Sequence, residues 1–289
     1  MSFDTFISNA WNDHGNHPEE VADRLANSLG TIETAADIQR FAGLVTHVYG
    51  EHLGRWNDGR MLLESLRDHP AWDGGPAVAA SVTRGIAVLD YAGGGDASLD
   101  HLSVEDRIAV LATASTAFVG QGNFRKAIAA YSQATELAAP GLPHGSPALR
   151  SLAVGGNNLA AALEEKSGRD DVESAGMVEA ARGGLKYWKL AGTWLEEERA
   201  EYRLARSLMQ AGDYHAAVES AGRCVELCNA SQAPAFELFF GHAVLALAQR
   251  GAGNPEAFQA ERRSALEQYA LVPEDERVWC AGDLKELGD

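Results

Sequence analysis

Apolar residues recur every three to four positions along most of the chain, which is the spacing of one helix face. Val21, Leu25 and Leu29 follow each other at intervals of four, and a longer apolar stripe runs from Ile38 to Tyr49. Residues typical of strands do not form alternating runs. Helical periodicity without strand periodicity predicts an all-α fold.

Glycine-containing breaks interrupt these helical patterns at nearly regular intervals. Gly122, Gly168, Gly212 and Gly253 are separated by 46, 44 and 41 residues. The first and third of these breaks are alike, because each glycine is followed by Asn or Asp and then by an aromatic residue. A period of this size predicts an α-solenoid, in which stacked helical hairpins bury their apolar faces against their neighbours.

The helical pattern is less regular at the start of the chain than in its later part. Residues 1–102 are expected to form an irregular helical region, with a soft boundary at the glycine-rich break 93–96. Residues 103–270 are expected to form the clear repeats, and 271–289 a capping segment that covers the last repeat with Trp279 and Leu284. We expect the three parts to form one continuous solenoid.

Composition and charge exclude several classes of protein. The formal net charge is −17 and the pI is near 4.9, whereas nucleic acids and anionic membrane surfaces attract basic faces. Three cysteines do not make a disulfide framework. The chain begins without a basic and apolar leader and has no apolar run long enough for a membrane span. We therefore expect a cytoplasmic protein that binds neither nucleic acid nor membrane.

No motif of a common enzyme or metal site is complete in the sequence. His47 and His52 are five residues apart, so on an α-helix they point about 140° away from each other and are not expected to share a metal. The chain has neither the glycine loop of a dinucleotide site nor the Gly-x-Ser-x-Gly turn of a hydrolase. We expect a protein that is not an enzyme, with no cofactor and no metal.

Two segments resemble the tetratricopeptide repeat. After Gly122 and Phe124, small and aromatic residues alternate at Ala127, Tyr131 and Ala134, as in the second helix of such a repeat. The segment around Gly212 matches in the same way, and residues 157–163 resemble a further first helix. The period exceeds the family's usual length of about 34 residues, so the chain looks like the extended-helix branch that includes kinesin light chain. The resemblance implies a right-handed superhelix.

The resemblance also implies a binding groove, because the first helix of each tetratricopeptide unit lines the concave face. The positions of this sequence that match the groove positions are Thr113, Thr116, Asn157, Asn158, Arg199, Tyr202, Arg203 and Arg206. Asparagine can hold the main chain of an extended peptide, and arginine pairs with carboxylates. The partner would be a protein or peptide that carries acidic groups or a free C-terminal carboxylate.

Other interpretations of these residues and of the chain stay open at this point. The arginines can instead balance the neighbouring glutamates 196–198 and 201 on one solvated helix. The leading hypothesis is a non-enzymatic module that binds a partner segment in the groove. The alternatives are a sensor that changes shape on binding a small molecule or signalling peptide, and a structural subunit that forms a homodimer.

Overall fold

The computed structural model describes residues 1–94 and 98–288, and within these ranges it contains helices and no strand. The predicted all-α fold is thus confirmed. Residues 95 and 96 of the glycine-rich break lie outside the described residues. The helices are α1 (Phe3–Asp13), α2 (Pro18–Asn27), α3 (Ala35–Val45), α4 (Trp56–Ser65), α5 (Pro76–Ala92), α6 (Val104–Gly120), α7 (Phe124–Leu137), α8 (Pro147–Glu165), α9 (Asp171–Ala191), α10 (Trp194–Gln210), α11 (Tyr214–Ala230), α12 (Ala235–Gly251), α13 (Pro255–Leu271) and α14 (Arg277–Leu287).

Local sequence signals set the ends of these helices. The Thr193 side chain accepts a hydrogen bond at the start of α10, and the Glu196 carboxylate accepts one from the Thr193 backbone N–H, which completes a capping box. At the other end of α10, Gly212 has φ of 81°, a left-handed conformation that glycine adopts without strain. Gly122 plays the same part between α6 and α7, with φ of 72°. The repeated glycine phrase is therefore the turn of a helical hairpin.

The first compact unit spans Met1–Gly155. Its core includes the apolar faces of α1, α2 and α3, with Phe6, Leu25 and Phe41 all nearly inaccessible to solvent. Helices α6 and α7 pack against each other as a hairpin, and α5 packs against α6. The apolar periodicity did not predict α1, which begins the chain.

The second compact unit spans Gly156–Asp289. Helix α10 pairs with α11, and α12 pairs with α13, so the unit contains two consecutive helical hairpins. Phe239 of α12 is fully buried at the centre of a cluster that also includes Cys280 and Leu287 of α14. The division into units falls within α8. The boundary near residue 102 concerns where regular repeats begin, and it stays a prediction.

The apolar stripe between Ile38 and Tyr49 is not one continuous α-helix. After α3 the chain winds into a π-helix over Thr46–His52. A π-helix closes its hydrogen bonds between residues five apart, and His47 and His52 therefore come to lie on the same side. Their Nε2 atoms are 3.1 Å apart. The expectation that these two rings point away from each other was wrong, because it assumed α-helical winding.

None of the helices in the described part of the chain combines the length and the apolar character that crossing a membrane requires.

Candidate functional site

The predicted groove residues of the first unit are Thr113 and Thr116, both on α6. Thr113 is half-buried and Thr116 is buried. The Thr116 hydroxyl donates a hydrogen bond of 2.7 Å to the carbonyl oxygen of Thr113, one turn earlier in the same helix. The same hydroxyl lies close to the Glu51 carboxylate, whose pKa it helps to lower, so it already has acceptors within the protein.

The asparagines Asn157 and Asn158 lie on the part of α8 that belongs to the second unit. Both are half-buried, and a long hydrogen bond of 3.4 Å joins the Asn157 amide nitrogen to the Asn158 amide oxygen. Among the described contacts, none joins this pair to the basic residues of α10. Their role in holding a peptide main chain stays a prediction.

The three arginines of α10 each pair with a carboxylate of another helix. Arg199 donates to Glu237 of α12, and Arg203 donates to Glu164 of α8. Both glutamates are largely buried. For Glu164, burial raises the pKa even though Arg203 opposes the shift. Because the partners belong to α8 and α12, these contacts tie neighbouring helices together. The hydrogen bond to Glu237 raises the pKa of Arg199. The charges of Glu198 and Glu196 on α10 itself add to this rise.

Arg206, the third arginine, pairs with the C-terminal helix. Its two terminal nitrogens donate to the two carboxylate oxygens of Glu286 at 2.9 and 2.7 Å, a two-pronged arrangement. One turn earlier on α10, the Tyr202 hydroxyl donates to Asp283 at 2.8 Å. Tyr202 and Arg206 are four residues apart and Asp283 and Glu286 are three apart, so each pair shares one helix face. Two neighbouring carboxylates of α14 thus accept hydrogen bonds from two neighbouring polar side chains of α10.

Burial and charge shape the electrostatics of this contact. Burial raises the pKa of Asp283, and the hydrogen bond from Tyr202 and the charge of Arg206 only partly oppose it. The pKa of the Tyr202 hydroxyl is well above its usual value, because the side chain is buried and the Asp283 carboxylate is close. Tyr202 therefore stays a neutral hydrogen-bond donor to Asp283.

The rest of α14 rests on the second unit through apolar and main-chain contacts. Cys280 and Leu287 are buried in the core cluster, and Leu284 packs against it. Arg250 of α12 donates to the Glu286 carbonyl oxygen at 2.8 Å. Trp279, however, is 73% exposed, so the expectation that it covers the last repeat was wrong. It lies on the outer side of a helix whose inner side carries Cys280, Asp283 and Leu287.

The sequence interpretation identified the basic side of this contact and missed the acidic side. Tyr202 and Arg206 came from the family's groove positions, whereas Asp283 and Glu286 were assigned only to a capping segment. Their spacing of three residues on a terminal helix was the signal that marks them as one acidic face. In a chain with 41 acidic residues, such a pair does not stand out.

Residues 199–231 match the model of a tetratricopeptide repeat family. The match covers most of α10 and all of α11, and it confirms the tetratricopeptide resemblance within that segment. The chain is also similar to the crystal structure of kinesin light chain nearly identical TPR-like repeats from Podosopora anserina, with 16% identity and a TM-score of 0.48, over 76% of this chain and 97% of that one. A crystal structure of the same repeats with a single substitution gives 16% identity and a TM-score of 0.47, over 75% and 95%. No curated protein sequence matches this chain.

Proposed function

We propose that this protein is a non-enzymatic interaction module that binds an acidic segment of a partner protein at the face of α10 now covered by α14. Tetratricopeptide repeats generally mediate interactions between proteins, and residues 199–231 match such a repeat. The observation that carries the proposal is the pairing of Tyr202 and Arg206 with Asp283 and Glu286.

The chemistry of this pairing defines the partner. A phenol hydroxyl and a guanidinium, four residues apart on one helix, are matched by two carboxylates on a second helix. A partner segment with two carboxylates on one helical face offers the same groups. We call this face, formed by Tyr202 and Arg206, the acid-binding face.

The proposal requires that α14, although its inner side is buried on the second unit, can be exchanged for a partner. The helix has 11 residues, which is shorter than isolated helices need for stability in water. Glu286 is 46% exposed, so water can reach its side of the ion pair with Arg206 and compete for the carboxylate. A partner that brings the same carboxylates and a larger apolar face would displace α14.

The test uses a fluorescent peptide with the sequence of residues 272–289, kept reduced, as the acidic probe. Its matched control peptide carries Asn and Gln in place of Asp283 and Glu286. Both are titrated into the full-length protein and into the full-length double variant Asp283→Asn, Glu286→Gln, whose own α14 lacks the two carboxylates. A second double variant, Glu274→Gln with Asp275→Asn, removes two exposed charges just before α14 and serves as the protein control.

We expect the acidic peptide to bind the Asp283→Asn, Glu286→Gln protein at least tenfold more tightly than it binds the wild type or the control variant. Adding Arg206→Glu should abolish that binding, and the control peptide should bind weakly throughout. Proteins captured from a native lysate by the Asp283→Asn, Glu286→Gln protein should be released by the acidic peptide and not by the control peptide. Equal binding of the two peptides, or the same binding with Arg206→Glu, would show that the face does not recognise carboxylates.

A further inference from the structure

Three histidines of the first unit converge although they come from separate parts of the chain. His14 follows α1, and His47 and His52 lie on the π-helix. One ring nitrogen of each lies within 4.8 Å of one ring nitrogen of the other two. The ring centroids are 4.7 to 5.0 Å apart. All three side chains are half-buried, which leaves the cluster reachable from solvent.

The π-helix is the structural reason that His47 and His52 meet. Its winding is fixed by backbone hydrogen bonds such as the one from Leu53 N–H to the Val48 carbonyl oxygen, at 3.1 Å. Helix α6 approaches it closely, since a Cβ added at Gly120 would lie 2.0 Å from the Glu51 carbonyl oxygen. The Gln121 side chain donates to that same carbonyl at 3.0 Å. Single π-helical turns are rare and are frequent at functional sites.

The δ nitrogens of two of the rings are engaged with acceptors. His47 Nδ1 lies 2.9 Å from a carboxylate oxygen of Glu51, and His14 Nδ1 lies 2.5 Å from the Trp11 carbonyl oxygen. These contacts place the proton of a neutral ring on Nδ1. The lone pair of His47 Nε2 then accepts a hydrogen bond from His52 Nε2–H, so metal binding requires His52 to carry its proton on Nδ1 instead. A carboxylate or carbonyl behind the ring is the usual arrangement for histidines that bind a metal.

The separation of the ligand atoms fits a small divalent ion. With Zn–N bonds of about 2.0–2.1 Å and tetrahedral geometry, two nitrogen ligands lie about 3.3–3.4 Å apart. His47 Nε2 and His52 Nε2 are 3.1 Å apart, so this pair is already close to that spacing. The ligand atom of His14 lies within 4.8 Å of the other two, so metal binding requires this ring to move closer to them. Three imidazoles suit zinc and are poor ligands for Mg²⁺ or Ca²⁺, which bind oxygen.

We propose that His14, His47 and His52 bind one Zn²⁺ ion, with Glu51 as the positioning residue that orients His47. The three ligands leave the fourth position to water. The ion joins the end of α1 to the π-helix, so it stabilises the packing of the N-terminal helix on the first unit. This site is independent of the acid-binding face of the second unit.

The test is zinc binding to the full-length protein, produced without a histidine tag and freed of metal with a chelator. Calorimetric titration with zinc sulfate should give one site per chain with a micromolar or lower dissociation constant. Cobalt(II) should give the intense visible absorption of a tetrahedral site. Zinc should also raise the melting temperature relative to the same protein in EDTA.

Variants assign the ligands. The double variant His47→Ala, His52→Ala should lose at least a hundredfold in zinc affinity and the cobalt spectrum, and Glu51→Gln should lose about tenfold or more. The control variants are His101→Ala and His144→Ala, which replace exposed histidines of the same unit. Both should bind zinc as tightly as the wild type does. Circular dichroism in EDTA checks that each variant is folded.

The proposal is overturned if the metal-free wild type shows no stoichiometric zinc binding. It is equally overturned if the folded His47→Ala, His52→Ala protein binds zinc as tightly as the wild type. Peptide binding at the acid-binding face should be the same with zinc and with EDTA, so a failure of one proposal does not affect the other.

Discussion

Glu198 is a buried carboxyl group whose protonation should make the stability of the second unit depend on pH. Its side chain is 1% exposed and lies on α10, next to Cys224, whose thiol donates to Oε1 at 2.7 Å. Within the described part of the chain, the other oxygen, Oε2, accepts no hydrogen bond. Burial raises the pKa of Glu198 from 4.5 to about 7, and the charge of Glu237 adds to the shift.

The sign of the effect follows from the raised pKa. A carboxyl group that holds its proton more tightly in the folded state favours folding at low pH and loses that contribution as pH rises through the folded pKa. A shift from 4.5 to about 7 corresponds to about 3 kcal/mol once both states are ionised. Between pH 5 and pH 8, the expected loss in the free energy of unfolding is roughly 2–3 kcal/mol.

The perturbation is Glu198→Gln, which keeps an acceptor for the Cys224 thiol and removes the ionisation. Its free energy of unfolding is measured by urea titration with circular dichroism at pH 5, 6, 7 and 8, with EDTA present. Relative to the wild type, the variant should gain roughly 2–3 kcal/mol in stability as the pH rises from 5 to 8. Subtracting the wild-type free energy of unfolding at each pH removes the contribution of histidine titration, because both proteins have the same histidines.

Glu226→Gln is the matched control, because Glu226 is 64% exposed on α11 and pairs only with Arg223 among the described contacts. Its difference from the wild type should be constant over the same pH range. If the Glu198→Gln difference is also constant to within about 0.5 kcal/mol, or falls with rising pH, Glu198 does not have a raised pKa in the folded protein.

Two further predictions concern the turn and the core of the second unit. Gly212→Ala should lower the free energy of unfolding by about 1–2 kcal/mol, because φ is 81° there. Gly222→Ala, within α11 and with no atom near the added Cβ, should instead raise it by about 0.5–1 kcal/mol. If both substitutions changed the free energy of unfolding in the same direction, the argument from the left-handed backbone at Gly212 would be wrong. Phe239→Ala should lower the free energy of unfolding in urea by about 3–5 kcal/mol, because Phe239 is fully buried. Phe236→Ala, at a half-buried position, should lower it clearly less. Equal losses for the two variants would contradict this difference in burial.

The sequence by itself determined the secondary structure of the repeat region and its hairpin turns. The apolar spacing, the capping residues Ser103 and Thr193, and the glycines Gly122 and Gly212 are local signals that act within a few residues. They required no knowledge of distant contacts, and the structure places helix ends at these positions. The tetratricopeptide match over residues 199–231 reflects the same local pattern.

Only the tertiary structure decided which polar groups meet. Arg206 pairs with a carboxylate 80 residues further along the chain, and many acidic residues of this chain could have taken that place. The winding of Thr46–His52 was also beyond the sequence, because its π-helical hydrogen bonds form where α6 packs closely against it. That winding, together with the position of α1, brings three histidines together. Helix periodicity is a property of neighbouring residues, whereas these two sites are set by the packing of helices far apart in the chain.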